Sequence, residues 1–410
     1  MVRRLFFYLI LAVSLSCGKE TITPETESEV DEIVIEEKEE EQSEEDEVTG
    51  GDTDTEESAI SFDIAILTRD VNSDEKSLVD YLKGEANGVF NIDAALGYKV
   101  FNDFDTRGNE LFFWQRTPQR DVTKINLETK EFQKYTNTDG VPDEQLWEYD
   151  YRLYPHPTSN HIVTMDSHNP AGIGNDTIFY NSLRIYDYLN DELEVMDLPD
   201  NDRIGVGFTS SKSSGEFYMY QNRVEKEEAP TVDEWKVVDL TTKEIVAQFD
   251  LFNDDRNFAW YEQKIYYPDG RTFDILSNDF SDDLNFPNDI GYGDMVNSQI
   301  KGNEIFFKAN SVIKNGSIWS GIVLYNFETK ESKKILENEL LEVTFNKYGF
   351  EGTGAQNITQ AYYDFDSGVI AITCDTQYPE FAVIFLDFDL TILKVDFLTD
   401  LQPLKIMSLD

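Results

Sequence analysis

The sequence predicts an all-β chain built around a single β-propeller of about seven four-stranded blades. Three observations predict it: strand-like runs fill the globular part, one hairpin pattern repeats along it, and the repeats fall about 50 residues apart. Gly108 to Phe113 reads GNELFF and Gly302 to Phe307 reads GNEIFF. Each precedes a matching turn, LETKE from Leu127 to Glu131 and FETKE from Phe327 to Glu331, and a third copy, LTTKE, runs from Leu240 to Glu244.

The unit has the composition of a hairpin. A strand of β-branched and aromatic residues meets a Thr-Lys turn that favours a tight reversal, and an alternating, half-polar strand follows. Hairpins of the same pattern fall at Leu183 to Met196, Trp235 to Phe249 and Lys264 to Leu276. Strands at this spacing, with no stretch of helical periodicity, point to blades of four antiparallel strands. The roughly 340 residues from Ile60 to Leu398 hold close to seven such periods. A pair of two-sheet sandwiches, the competing fold, would place strands about 8 to 12 residues apart without the longer echo.

Blades are expected near Phe62 to Ala94, Tyr98 to Tyr135, Tyr149 to Asp197, Ile204 to Phe249, Phe258 to Leu284, Ile300 to Leu336 and Val343 to Phe397. The first and fifth are irregular in pattern. An open ring would expose unpaired backbone groups, so the N-terminal strand, Phe62 to Leu67, is expected to complete the sheet at the C-terminus.

Ahead of the propeller the composition changes twice. Arg3 and Arg4 precede a twelve-residue apolar run, Leu5 to Ser16, which reads as a signal peptide and is too short to span a bilayer. From Glu20 to Glu57 nineteen acidic residues face only Lys38. Such a segment cannot bury a core and is expected to form a solvated linker reaching on the order of 35 Å as a coil. The organisation is therefore signal peptide 1–16, Cys17 with an acidic linker over 17–59, and propeller 60–410.

The net charge is −47, and removing the linker and the four basic residues up to Lys38 leaves 30 basic against 62 acidic residues. Nucleic acid and anionic lipid headgroups are thus poor partners. Of the two cysteines only Cys374 lies in the propeller, so no intramolecular disulfide supports it, and its place after Val369-Ile370-Ala371-Ile372 suits a packed thiol.

No nucleophile elbow, zinc-protease motif, phosphate loop or cysteine cluster is present. His156, His161 and His168 fall within thirteen residues, but His161 and His168 flank one predicted strand and would stand about 23 Å apart. Only His156 and His161 could meet across a turn, which favours structural roles over a metal site. No cofactor is expected. Thr138 to Asp143 and Asp279 to Asp294 offer carboxylates for calcium but lack the alternate-residue register of an EF-hand, so solvated turns are the plainer reading.

Ligands of propellers gather where the loops between inner strands and between blades surround the channel. The strand register puts Arg116, Arg120, Trp147, His168, Arg223, Arg271, Lys308, Lys314 and Trp319 on that face. Arg116, Arg120, Trp147, Arg271 and Trp319 are the candidate ligand-binding residues, because guanidinium and indole groups hold anionic, flat or sugar-like molecules by charge-assisted hydrogen bonds and stacking.

Ser14-Leu15-Ser16-Cys17 resembles a lipobox, with Ser14 where Leu is usual. The resemblance implies cleavage before Cys17 and acylation of its thiol and amine. Three acyl chains hold a protein on its membrane far more firmly than one. Gly18, rather than Asp, after the cysteine implies the outer membrane, and Gly18-Lys19-Glu20 resembles a short tag for export to the cell surface. In arrangement the chain resembles bacterial envelope lipoproteins that capture nutrients or metal chelates such as siderophores for an outer-membrane transporter. That resemblance implies a membrane-anchored binding protein for a small molecule, with no turnover. A glycan hydrolase or lyase using two carboxylates, and a scaffold for another envelope protein, are the other classes carried forward.

Overall fold

Runs such as Ile64-Ala65-Ile66-Leu67 and Ile370-Ala371-Ile372 are apolar at consecutive positions, the pattern of strands covered on both faces. The computed structural model describes residues 60–100, 104–114, 121–135, 156–158, 160–168, 180–198, 211–224, 232–251, 258–267, 269–281, 294–314, 317–348, 358–376 and 380–409. Within these the chain forms seven four-stranded antiparallel sheets, the blades of a β-propeller.

The first blade contains β1 (Asp63–Asp70), β2 (Lys76–Leu82) and β3 (Glu85–Asn91), followed by the short helix α1 (Ile92–Leu96). The second is β4 (Phe104–Arg107), β5 (Glu110–Trp114), β6 (Val122–Asn126) and β7 (Phe132–Tyr135). The third is β8 (His156–Pro157), β9 (His161–His168), β10 (Tyr180–Asp187) and β11 (Glu192–Asp197). The fourth is β12 (Ser211–Ser214), β13 (Phe217–Val224), β14 (Val232–Asp239) and β15 (Glu244–Leu251). The fifth is β16 (Ala259–Tyr261), β17 (Lys264–Tyr266), β18 (Thr272–Asp274) and β19 (Asp279–Ser281). The sixth is β20 (Asp294–Lys301), β21 (Glu304–Lys314), β22 (Ser317–Asn326) and β23 (Ser332–Leu336), and helix α2 (Glu337–Tyr348) follows it. The seventh is β24 (Ile358–Tyr363), β25 (Ile370–Asp375), β26 (Glu380–Leu386) and β27 (Ile392–Thr399). The last strand, β28 (Leu401–Ser408), pairs with β1 and becomes the innermost strand of the first blade.

Each apolar strand divides its side chains between two neighbours, as the two-residue period of a strand requires. Ile64 and Ile66 of β1 pack with the seventh blade, while Ala65 and Leu67 pack with the second. In the repeated strands, Phe306 faces the seventh blade and Ile305 and Phe307 the fifth, and Phe112 faces the third blade and Leu111 and Phe113 the first. One buried cluster fills each of the seven interfaces between blades. The fourth strands contrast with these: β3 is exposed along most of its length, and Val89 on it is 60% exposed.

The repeated sequences are explained by two turns. Gly108 and Gly302 open the turn before the second strand with φ of 52° and 58°, a region that costs a side chain with a Cβ. At the end of the third strand, Asn126, Asp187, Asp239, Asp274 and Asn326 each accept backbone N–H groups from two and three residues ahead. Such side-chain acceptors replace a backbone partner and fix the reversal. The Lys of each ETKE or TTKE copy, Lys130, Lys243 and Lys330, then takes a positive φ. Two of these lysines also join blades: Lys130 Nζ lies 2.7 Å from Asp80, and Lys243 reaches Glu194.

Three expectations are corrected. The termini do close the ring, but the C-terminal strand enters the N-terminal sheet rather than the reverse. The reason is burial: Ile64 to Leu67 are fully buried and β1 needs partners on both sides, which β2 and β28 supply. The register shifts between Leu67 and Thr68, opposite Lys405 and Pro403, so the proline sits at a bulge of an innermost strand. Helices are present although no helical period was evident. Val343, expected to open the seventh blade, lies in α2, and that blade begins at Ile358. In α2, Glu337 and Glu339 occupy the first turn, where negative charge is favourable, and Leu340 and Thr344 are buried one turn apart. The first and fifth blades, expected to be irregular, are complete four-stranded sheets, the fifth with strands of three residues.

A chain ending at Asp400 lacks β28 and should lose its cooperative thermal transition in calorimetry. Asn326→Ala, which removes one turn acceptor, should keep a single transition and cost about 1 kcal/mol.

Candidate functional site

The turns between second and third strands lie on one face of the ring, together with the connections between blades. On that face the first and seventh blades diverge around a cavity of about 580 Å³. Its walls come from Arg69, Asp70, Val71 and Asp74 at the β1–β2 turn, Asp375, Thr376, Glu380 and Phe381 at the β25–β26 turn, and Gln402 of β28. The volume falls in the range of small-molecule sites, roughly 300–1,000 Å³.

Most of the polar groups here are paired. Arg69 donates to the Gln402 side chain, which links β1 to β28, and its Nε lies 3.6 Å from Asp74. Asp74 also lies 3.6 Å from the buried Lys76 ammonium. One oxygen of Asp70 accepts the N–H groups of Asn72 and Ser73 at 2.8 and 2.7 Å, which hold its carboxyl below the usual aspartate range. Thr376 donates its hydroxyl to the Glu380 carbonyl at 2.7 Å and shapes the β25–β26 turn.

Asp375 differs from these. Its Oδ1 is buried and has no hydrogen-bond partner among the described residues. Burial raises its carboxyl above the usual range, and the charge of Lys308 on β21 pulls it back only in part. The neighbouring Cys374 thiol is fully enclosed, and burial together with Glu337 and Asp375 pushes it up to about 12. Glu337 is buried as well, but it is satisfied: it accepts the Ile358 N–H at 2.6 Å and the Ser320 hydroxyl, tying the sixth blade to the seventh.

Of the residues singled out from the sequence, Cys17, Arg116, Arg120 and Trp147 lie outside the described residues. So does the Thr138 to Asp143 loop, along with residues 282–293 of the Asp279 to Asp294 stretch. Trp319 is placed in β22 opposite Val312, near the turn from β21. Arg271 stands in the turn between β17 and β18, on the expected face, but its guanidinium is engaged locally. Nε lies 2.6 Å from Asp269, and the group sits 5.7 and 5.5 Å from the Tyr267 and Phe280 ring centroids. Phe280 belongs to the outermost strand of its blade.

His161 and His168 are the two ends of β9, and His161 Nδ1 lies 3.2 Å from Glu216 of the fourth blade. Among the described residues no group of three His, Cys, Asp or Glu side chains is arranged to hold a metal ion. Arg69, Asp375, Glu380 and Gln402 were not singled out from the sequence. The one available signal was an acid, Asp375, directly following a strand without another charge, from Val369 to Cys374.

No protein-family model and no curated protein matches the chain. Among solved structures it is similar to the propeller domain of the trilobed protease from Pyrococcus furiosus, at 12% identity and a TM-score of 0.40 over 82% of this chain and 98% of that one. It is also similar to an acylaminoacyl peptidase from Pyrococcus horikoshii, at 10% identity and a TM-score of 0.45 over 82% of this chain and 50% of that one. A third likeness is to the tricorn protease, at 11% identity and a TM-score of 0.37 over 85% of this chain and 37% of that one. The chain thus spans about a third of the tricorn protease and half of the peptidase.

Two outcomes test the environment of this site. In a Cys17→Ser background, Cys374 should resist alkylation in the native protein and react once denatured, as mass spectrometry would read. Asp375 has a folded pKa above its unfolded value, so its stabilising contribution is full below the unfolded pKa, about 3.9, and is lost as pH rises through the folded one. Asp375→Asn should therefore remove that decline and melt at or above the wild-type temperature at pH 7.

Proposed function

We propose that the protein is a lipid-anchored envelope binding protein. In this reading it captures a small polar ligand, a nutrient or a metal chelate such as a siderophore, for an outer-membrane transporter. The observation that carries the capture reading is the cavity between the first and seventh blades, whose volume suits a small molecule and whose walls are mostly charged and polar. Support for the anchor comes from the basic start, the apolar run and Cys17 at its end. Arg271 and Trp319, at or near the second-to-third strand turns of their blades, belong to the same proposed binding face.

Asp375 and Glu380 also support the glycan-hydrolase reading, since a carboxyl raised by burial and a second carboxylate line the same cavity. Product formation separates the two readings.

The full chain, expressed in a Gram-negative host, should incorporate an alkyne-tagged palmitate analogue and fractionate with the outer membrane. Cys17→Ser should lose the label and the membrane association, and a labelled Cys17→Ser protein would overturn the anchor. In detergent, thermal shift against ferric chelates and oligosaccharides should give stabilisation without turnover. Chromatographic detection of cleaved oligosaccharide would transfer the protein to the hydrolase class.

A further inference from the structure

We infer that Asn87, in the outermost strand of the first blade, is a site of spontaneous chemical modification in the folded protein. Its side-chain amide is lost by attack from the Gly88 nitrogen, which leaves an aspartyl or isoaspartyl residue. The inference is independent of the capture reading.

The backbone of β3 prepares the site. Asn91, Phe90 and Val89 pair with Ser77, Leu78 and Val79 of β2, and the ladder resumes with Ala86 and Glu85 against Tyr81 and Leu82. Asn87 and Gly88 therefore stand together opposite the single residue Asp80, a β-bulge on the outer edge of the sheet. Gly88 takes φ of 124°, and a Cβ built on it would meet nothing within 4 Å. Backbone conformation, rather than packing, reserves the position for glycine. The missing Cβ has a second effect, because nothing on residue 88 shields its own nitrogen from the side chain before it.

The side chain completes the arrangement. Asn87 is exposed, and its carboxamide makes no hydrogen bond among the described residues. Asn91 in the same strand is held, since it donates to Glu75 at 2.9 Å and accepts the Ala94 N–H at 2.8 Å. A carboxamide tied in this way cannot turn onto the nitrogen that follows it, whereas that of Asn87 can. The other Asn-Gly or Asp-Gly pair among the described residues, Asp269-Gly270, is protected. Gly270 donates its N–H to the Tyr267 carbonyl at 3.0 Å, and Asp269 accepts the Arg271 N–H at 3.0 Å and lies 2.6 Å from its Nε. Asn315-Gly316 lies outside the described residues.

The reaction needs only water. The Gly88 nitrogen loses its proton and bonds to Cγ of Asn87, the bond from Cγ to the side-chain nitrogen breaks, and ammonia leaves. Water then opens the cyclic imide. Opening at Cγ restores the ordinary peptide bond with a carboxylate on the side chain, and opening at the backbone carbonyl routes the chain through Cγ and adds a methylene to it. No oxidation or reduction occurs. Either product places a new negative charge across from Asp80, whose carboxylate is held at 2.7 Å by Lys130 of the second blade. Because β3 is exposed from Glu85 to Val89, the change is accommodated with the ring intact.

The test compares the full chain kept native in detergent with the same chain unfolded in guanidinium chloride, both in mildly alkaline buffer. Residue 87 is read by peptide mass spectrometry, with fragmentation that separates the two isomers. Conversion in the native protein should run within about tenfold of the unfolded rate, since an exposed edge segment opens at little cost in free energy. Asn87→Gln should lose the acidic product at this position and retain the wild-type unfolding transition. A native sample in which residue 87 remains an amide while the unfolded sample converts overturns the inference. So does an unchanged yield of acidic product from the same peptide of Asn87→Gln.

Discussion

Backbone pairing between β1 and β28, the first and last strands, is the interaction on which the other parts of the ring depend. A blade of this kind cannot bury its own faces. Its inner strands are apolar on both sides, and each side is covered only by the next blade. Six interfaces can form along the chain by simple succession, but the seventh needs the two ends to meet. Because β1 sends Ile64 and Ile66 one way and Ala65 and Leu67 the other, a failure of closure would expose one cluster and loosen its neighbour. Closure through a shared sheet also leaves no second strand of the first blade with an unpaired edge, which limits strand addition by other chains.

The seam also forms the cavity. Arg69 and Gln402 come from the two strands that close the ring, and their side-chain hydrogen bond stands at its rim. Across the gap, Asp375 and Glu380 belong to the seventh blade, which lies beside β28 only because the ring is closed. Chain closure and site assembly are therefore one event, and residues more than 300 positions apart in sequence meet there.

The repeated architecture was legible because two constraints write themselves into consecutive residues. Burial on both faces yields the LFF and IFF runs, and the reversal after the third strand requires a residue that tolerates positive φ, here the Lys of each turn copy. Even there the acceptor that fixes the turn, Asn126 or Asn326, stood one residue before the repeat as it was read. The direction of closure was not legible: the expected blades ended at Phe397, short of β28, and only the burial of β1 on both faces shows which strand needs the second partner. Helix α2 was missed because Val343, Thr344 and Phe345 are β-branched or aromatic, the composition of a strand. Asp375 looks like any polar residue at a strand end. Its raised carboxyl comes from neighbours on other strands, and no local pattern encodes that. Arg271 stands in the β17–β18 turn, where Asp269 and Phe280 hold its guanidinium against its own blade.

The strongly acidic composition takes on a different meaning at this level. Part of it is structural: Asp187, Asp239 and Asp274 hold turns by accepting backbone N–H groups, and hydrogen bonding holds the Asp187 carboxyl below its ordinary range. Asp187 therefore contributes stability that is present above its unfolded pKa and is lost as pH falls through the folded one. Asp375 works in the opposite sense, because burial favours its protonated form. Acidification therefore loosens the Asp187 turn on one face while relieving the charge of Asp375 at the seam on the other.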